Sequence, residues 1–307
     1  MLAVSIKDGW VRFIQADIDD SSVVVNQLQE DLLPPALSRP DLRSSNLSRQ
    51  FQRLFKNIAD SLENLDREVY VSLGDEWVES HLLPIDAGLS MKEKEAYLHW
   101  VLEQRLGPLW SDAVAFFHVM PDGREDTPTV MAFTTTRFVV EHLKAAIEEV
   151  GAVPAWMEST VLSVNRVLSN ADEGRTTRAM SIEPHGKMFK AQFLDRGQLR
   201  ALAHLNLKGG AATDSGAKGD ARFASRCVAT LNRYLSGEEP DPDLQVHLVG
   251  QFPGRYLKML RGQGPEKGVI TPVNPFSKLV TGKGEFPRAV EGSWFVDLLG
   301  LIQRRTA

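Results

Sequence analysis

Apolar and polar residues alternate from the first positions of the chain. Val4 and Ile6 interleave with Ser5 and Lys7, and Val11 and Phe13 alternate on the return, which predicts two strands. Asp8-Gly9 between them is a two-residue hairpin signal, because both residues tolerate positive φ. Val23-Val24-Val25 offers a third strand, and Leu32 to Pro40 reads as irregular. Leu47, Phe51, Leu54, Phe55, Ile58 and Leu62 recur at helical spacing, predicting a helix over Ser44–Asn64. Glu68 to Leu73 and Trp77 to Ile85 read as strands. Ser90 followed by Glu93 is a capping-box pattern that opens a helix from Met91 to Leu106, stopped by Gly107-Pro108. Ala113 to Val119 and Thr129 to Thr134 read as strands around the turn signal Pro121-Asp122-Gly123, and a helix follows from Thr136 to Val150, ended by Gly151.

The second half is built from shorter runs. Trp156 to Leu168 carries an apolar face at Val161, Val164 and Leu168 and is expected to be helical. The polar stretch Asn170–Thr177 is the expected inter-domain link. Ala179 to Leu207 reads as a strand meander with turns at Pro184-His185-Gly186 and Asp195-Arg196-Gly197. Residues 208–221 are rich in Gly, Ala, Ser and Asp and are expected to form a flexible loop. Then come a helix over Phe223–Leu235, a strand over Leu244–Val249 ending at Gly250, a short helix over Pro253–Arg261, a strand tip at Val269–Pro272 and a closing helix over Arg288–Arg304. This α/β order suggests two similar sheet-and-helix halves with an insertion in the first. No period of solenoid length is present.

Composition narrows the function classes. At 307 residues the chain is long enough for two domains, and its 43% hydrophobic content supports a packed core. A net charge of −5 argues against nucleic acid as a partner. The single cysteine, Cys227, excludes an internal disulfide and a cysteine-built zinc site, and fits a reducing cytoplasm. No secretion signal is visible, and the longest apolar run, Trp294–Ile302, contains Asp297 and falls far short of the roughly 20 residues a spanning helix needs. A membrane role is therefore expected only through a partner.

Several local patterns were weighed as chemistry. The histidines at 81, 99, 118, 142, 185, 204 and 247 form no H-x-x-x-H or H-E-x-x-H pair, so no metal site is expected. There is no G-x-S-x-G elbow. Thr281-Gly282-Lys283-Gly284 lacks phosphate-loop spacing, and Gly209–Gly219 has no strand leading into it in Walker fashion, so both read as loops. Glu93, Glu95 and Glu103 with Lys92, Lys94 and Arg105 read as a solvated helix face. Phe116, Phe117, Trp100 and Trp110 cluster in the insertion, where they read as core with a partner groove as the alternative.

Taken with its order and spacing, the chain resembles the actin-like fold of the PilM family, cytoplasmic assembly proteins of type IV pili, and of the cytoplasmic part of the type II secretion protein GspL. The resemblance is carried by Leu2–Ile14 as the opening strand-turn-strand, and by Val130–Leu168 with Val150-Gly151-Ala152, Glu158 and Asn165-Arg166. It is carried further by Phe223–Gly250, and by Phe286-Pro287-Arg288-Ala289 with Leu299-Gly300-Leu301. It implies an α/β, actin-like (RNase H-like, duplicated) two-domain fold. Residues 1–76 and 155–173 would form subdomain 1A, 77–154 an inserted subdomain 1C, and 174–307 the second domain.

Carried over position by position, the resemblance implies a degenerate nucleotide cleft. The family's opening Asp falls on Ser5 and its Gly on Lys7, beside Asp8 and Gly9; its second Asp-x-Gly falls on Ser181-Ile182-Glu183; its paired adenosine-loop glycines fall on Val249-Gly250. The closing acidic residue is kept as Glu158. Neutral serines hold Mg²⁺ poorly, a side chain at position 7 obstructs approach to a phosphate, and Glu183 repels one. The expectation is therefore no catalytic residue, no cofactor and no metal, with the chain acting as a pseudo-ATPase scaffold. The resemblance implies a PilN-like inner-membrane protein whose tail docks between the first subdomain and its insertion, contact with an assembly ATPase ring, and a possible homo-oligomer. The competing reading is an ATP-binding, slowly hydrolysing member using Mg²⁺ with Lys7 and Asp8 in altered roles; a small-molecule kinase of the same fold lacks a recognisable catalytic Asp.

Overall fold

The opening hairpin forms as its alternation dictates. β1 (Leu2–Lys7) pairs antiparallel with β2 (Trp10–Ile18) through Asp8 (φ 55°) and Gly9 (φ 78°), the positive dihedrals that a two-residue turn requires. The computed structural model describes residues 1–18, 23–38, 41–42, 44–65, 68–86, 88–120, 129–171, 178–185, 188–206, 245–250, 269–273, 276, 280–281 and 292–306. These fall into two compact units, Met1–Leu162 and Ser163–Arg305.

In the first unit, β3 (Val23–Leu32) extends the hairpin, and the single-turn helix α1 (Pro35–Ser38) and helix α2 (Asn46–Ser61) follow. The expected stripe of α2, Leu47, Phe51, Leu54, Phe55 and Ile58, is buried. β4 (Glu68–Leu73) runs parallel to β1. A separate three-stranded sheet comes next, from β5 (Glu79–Pro84), helix α3 (Met91–Leu106), β6 (Ala113–Met120) and β7 (Thr129–Thr136), in the order β5-β7-β6. Leu98 and Leu102 of α3 pack on Leu83, Val130 and Ala132 of this sheet. The capping box forms: the Glu93 N–H donates to Ser90 Oγ at 3.4 Å, and the Ser90 N–H donates to Glu93 Oε2 at 2.8 Å. Helix α4 (Arg137–Glu149), capped by Thr136, packs against α2.

The expected helix over Trp156–Leu168 is corrected at its start. Val153–Ser159 is a strand, β8, parallel to β4, and helix α5 begins only at Thr160 and runs to Ala171. A short apolar run reads equally as either element, and here the open edge of β4 decides it. The first unit's strands thus run β3-β2-β1-β4-β8.

In the second unit, β9 (Arg178–His185), β10 (Met188–Asp195) and β11 (Gln198–Asn206) form the expected meander. β12 (Gln245–Leu248) and β13 (Val269–Pro272) continue it in parallel, in the order β11-β10-β9-β12-β13. Both sheets are therefore an antiparallel three-strand meander extended by two parallel strands. The closing helix α6 spans Val296–Thr306 after a 3₁₀ turn at Ser293–Phe295. Gly300 of α6 is required by a close crossing: a Cβ there would lie 1.9 Å from the Ser163 carbonyl oxygen of α5. Arg166 Nη1 donates to the Gly300 carbonyl at 2.5 Å. The expected helices Phe223–Leu235 and Pro253–Arg261, the loop 208–221, and 288–291 of the closing helix lie outside the described residues.

Candidate functional site

Ser5 sits in the centre of the first sheet and is fully buried. The register places Glu30, Arg12, Ser5, Ser72 and Glu158 in one row across β3, β2, β1, β4 and β8, on one face. The charges in that row are matched locally. Arg12 Nε donates to Glu30 Oε2 at 2.5 Å, and Glu158 accepts the Trp156 indole N–H at 2.9 Å. Glu158 is buried on the strand, not at a helix start as its predicted element implied.

Two residues along, on the same face, Lys7 is buried at the end of β1. The space for its side chain comes from Gly74, which donates its N–H to the Ile6 carbonyl at 2.9 Å. A Cβ at position 74 would lie 2.5 Å from Lys7 Cβ and from Glu76 Oε2, so a glycine at 74 makes room for the side chains at 7 and 76. The turn itself is occupied from within. Glu76 Oε1 accepts the Asp8 backbone N–H at 2.7 Å. Sequence reasoning singled out Ser5, Lys7, Asp8 and Gly9 but missed Gly74 and Glu76. Nothing in the spacing between positions 8 and 76 signals that contact; only the parallel pairing of β1 with β4 makes it.

The second unit repeats the arrangement at equivalent positions. Val249 donates its N–H to the Ile182 carbonyl at 3.0 Å, as Gly74 does to Ile6. Ser181 therefore corresponds to Ser5 and Glu183 to Lys7. Ser181 and Glu183 are both buried. Glu183 has a cation beside it: Lys190 Nζ, directly opposite on β10, lies 3.1 Å from Glu183 Oε2. Gln192, opposite Ser181, is buried, and neither its amide nor the Ser181 hydroxyl has a hydrogen-bond partner among the described residues. Gly250, at φ 84°, follows β12; it donates to the Ser293 carbonyl at 2.8 Å and accepts from Ser293 Oγ at 2.9 Å. Ser181, Glu183 and Gly250 are thus brought to one end of the second sheet. No cluster of His, Cys, Asp or Glu suited to a metal occurs among the described residues. At the turn, the Asp8 N–H is held by the Glu76 carboxylate, and position 5 carries a serine hydroxyl in place of a carboxylate.

A second concave feature lies in the first unit, where the end of β4 meets the insertion. The cavity has a volume of about 270 Å³, with Trp77, Leu106 and Leu109 among its walls and Asp41, Asp75 and Glu79 around it. Glu76 lines it too, so the residue that fills the turn is also a wall of this groove. Trp77 stacks on Phe51 at 5.3 Å, and its buried indole N–H has no acceptor among the described residues.

Two sheets of one topology, the first carrying an inserted subdomain, define an α/β protein of the actin-like ATPase fold. No family model and no curated protein matches the sequence. Among solved structures, the chain is similar to one from a PilM-PilN type IV pilus biogenesis complex. Identity is 15% and the TM-score 0.73, over 100% of this chain and 98% of that one. It is also similar to a Bacteroides thetaiotaomicron protein described as having an actin-like ATPase fold and unknown function. There identity is 11% and the TM-score 0.56, over 98% and 95% of the two chains.

Proposed function

We propose that the chain is a non-catalytic adaptor of a pilus-assembly or type II secretion-like machine, working at the cytoplasmic face of the inner membrane. In this reading it links a PilN-like inner-membrane protein to an assembly ATPase that supplies the energy. The observation that carries the proposal is Glu76. Its carboxylate closes the hairpin turn that a phosphate would need and at the same time walls the groove beside the insertion. An element built for nucleotide in the fold has become part of a docking surface. The groove offers an apolar wall with the half-exposed Leu109 as a contact for a side-chain anchor, a feature an extended tail uses. The similarity to a chain from a PilM-PilN complex supports a PilN-like tail as the occupant.

The test is fluorescence anisotropy with a labelled peptide, the cytoplasmic tail of a PilN-like inner-membrane protein. Saturable binding is expected, weakened by about tenfold or more in Leu109→Glu, since a half-exposed groove residue can change without unfolding the protein. Absence of binding, or binding indifferent to Leu109→Glu, contradicts the adaptor reading.

A further inference from the structure

Strand β6 stands at one edge of the inserted sheet, and its sequence is Ala-Val-Ala-Phe-Phe-His-Val-Met. It contains no Lys, Arg, Asp, Glu or Pro. Proteins guard exposed edges with charge or proline because a bare edge presents a row of unpaired N–H and C=O groups. Other edges of this molecule follow the rule. β5, the opposite edge of the same sheet, has Glu79 and Pro84; β8 has Pro154 and Glu158; β11 has Arg200. Among the described residues no strand pairs with the outer side of β6. His118 adds no charge, since burial lowers its pKa from the ordinary value. Phe116 is 37% exposed and Val119 62% exposed, on opposite faces of the strand.

We propose that β6 is a self-association edge: it pairs antiparallel with β6 of a second copy about a twofold axis at Phe116, joining the two inserted sheets. The strand is self-complementary in that register. Ala115 would oppose the partner copy's residue 117, a Phe, and Ala113 would oppose residue 119, a Val, so small residues meet large ones on one face, while on the other Phe116 meets its own copy at the axis. Phe116 already stacks on Phe133 at 4.9 Å, so the two copies would form a continuous ladder of rings. A twofold pairing satisfies both edges at once and leaves none for further growth. The proposal does not depend on the adaptor reading or on the state of the nucleotide turn.

The experiment uses the full chain. Sedimentation velocity of the wild type is expected to give a dimer. Val119→Lys is expected to give a monomer with an unchanged circular dichroism spectrum, because the site is largely exposed. In a Cys227→Ser background, Phe116→Cys is expected to cross-link between copies in oxidised glutathione. At the twofold the two Cβ atoms would stand about 5 Å apart. Val114→Cys, displaced to about 13 Å from its mate at 3.3 Å per residue, is expected not to cross-link. A monomeric wild type overturns the proposal, as does a dimer that cross-links at 114 or fails to do so at 116.

Discussion

At the scale of single residues, the two units are alike at the positions singled out in each sheet. Ser5 and Ser181 occupy equivalent positions, and the charged residue two places on is buried in each case. In the second unit that residue, Glu183, is held by Lys190. Lys190→Met leaves a buried carboxylate without its cation and is expected to destabilise the second unit by about 3–5 kcal/mol in urea unfolding, whereas the paired change Glu183→Leu with Lys190→Met costs less. In the first unit Gly74→Ala brings a Cβ to 2.5 Å from both Lys7 Cβ and Glu76 Oε2, and a loss of about 1–3 kcal/mol is expected, relieved in part by Lys7→Gly. His81 adds a pH dependence. Burial lowers its pKa first of all, with Arg105 acting in the same direction and Glu79 opposing; it bonds Thr134 Oγ1 at 2.9 Å. A folded-state pKa below the unfolded one gives stability that is full above the unfolded value of 6.5 and is lost as pH falls through the folded one. Acid unfolding of His81→Gln should accordingly be shallower below that pH.

At the scale of elements, the hydrophobic pattern located nearly every strand and helix that the structure describes. Its success at α3 has a local cause, the Ser90–Glu93 capping box, and Ser90→Ala is expected to lower stability by about 1 kcal/mol. The failure at Trp156–Ser159 was equally physical. Nothing local separates a short seven-residue strand from the first turns of a helix, and the choice is made by pairing with β4. Gly300 is intermediate: its place in a Leu-Gly-Leu run was visible, but the reason for it, the Ser163 carbonyl of α5, was not. The places of Ser5, Lys7, Ser181 and Glu183 were legible because each lies on a strand whose order was legible. Glu76, Gly74 and Lys190 were not, since they act across strands and contacts between strands leave no fixed spacing in sequence.

At the scale of the molecule, the duplicated sheet topology with an insertion in the first unit gives the actin-like fold, and the proposed function rests on the hairpin turn held by Glu76 and on the groove beside the insertion. The measurement that bears most directly on this is titration of the full chain with a fluorescent ATP analogue, with and without Mg²⁺, beside the double variant Lys7→Gly with Glu76→Gln. The account predicts no saturable, Mg²⁺-dependent binding to the wild type. Micromolar, Mg²⁺-dependent binding by the wild type would contradict it.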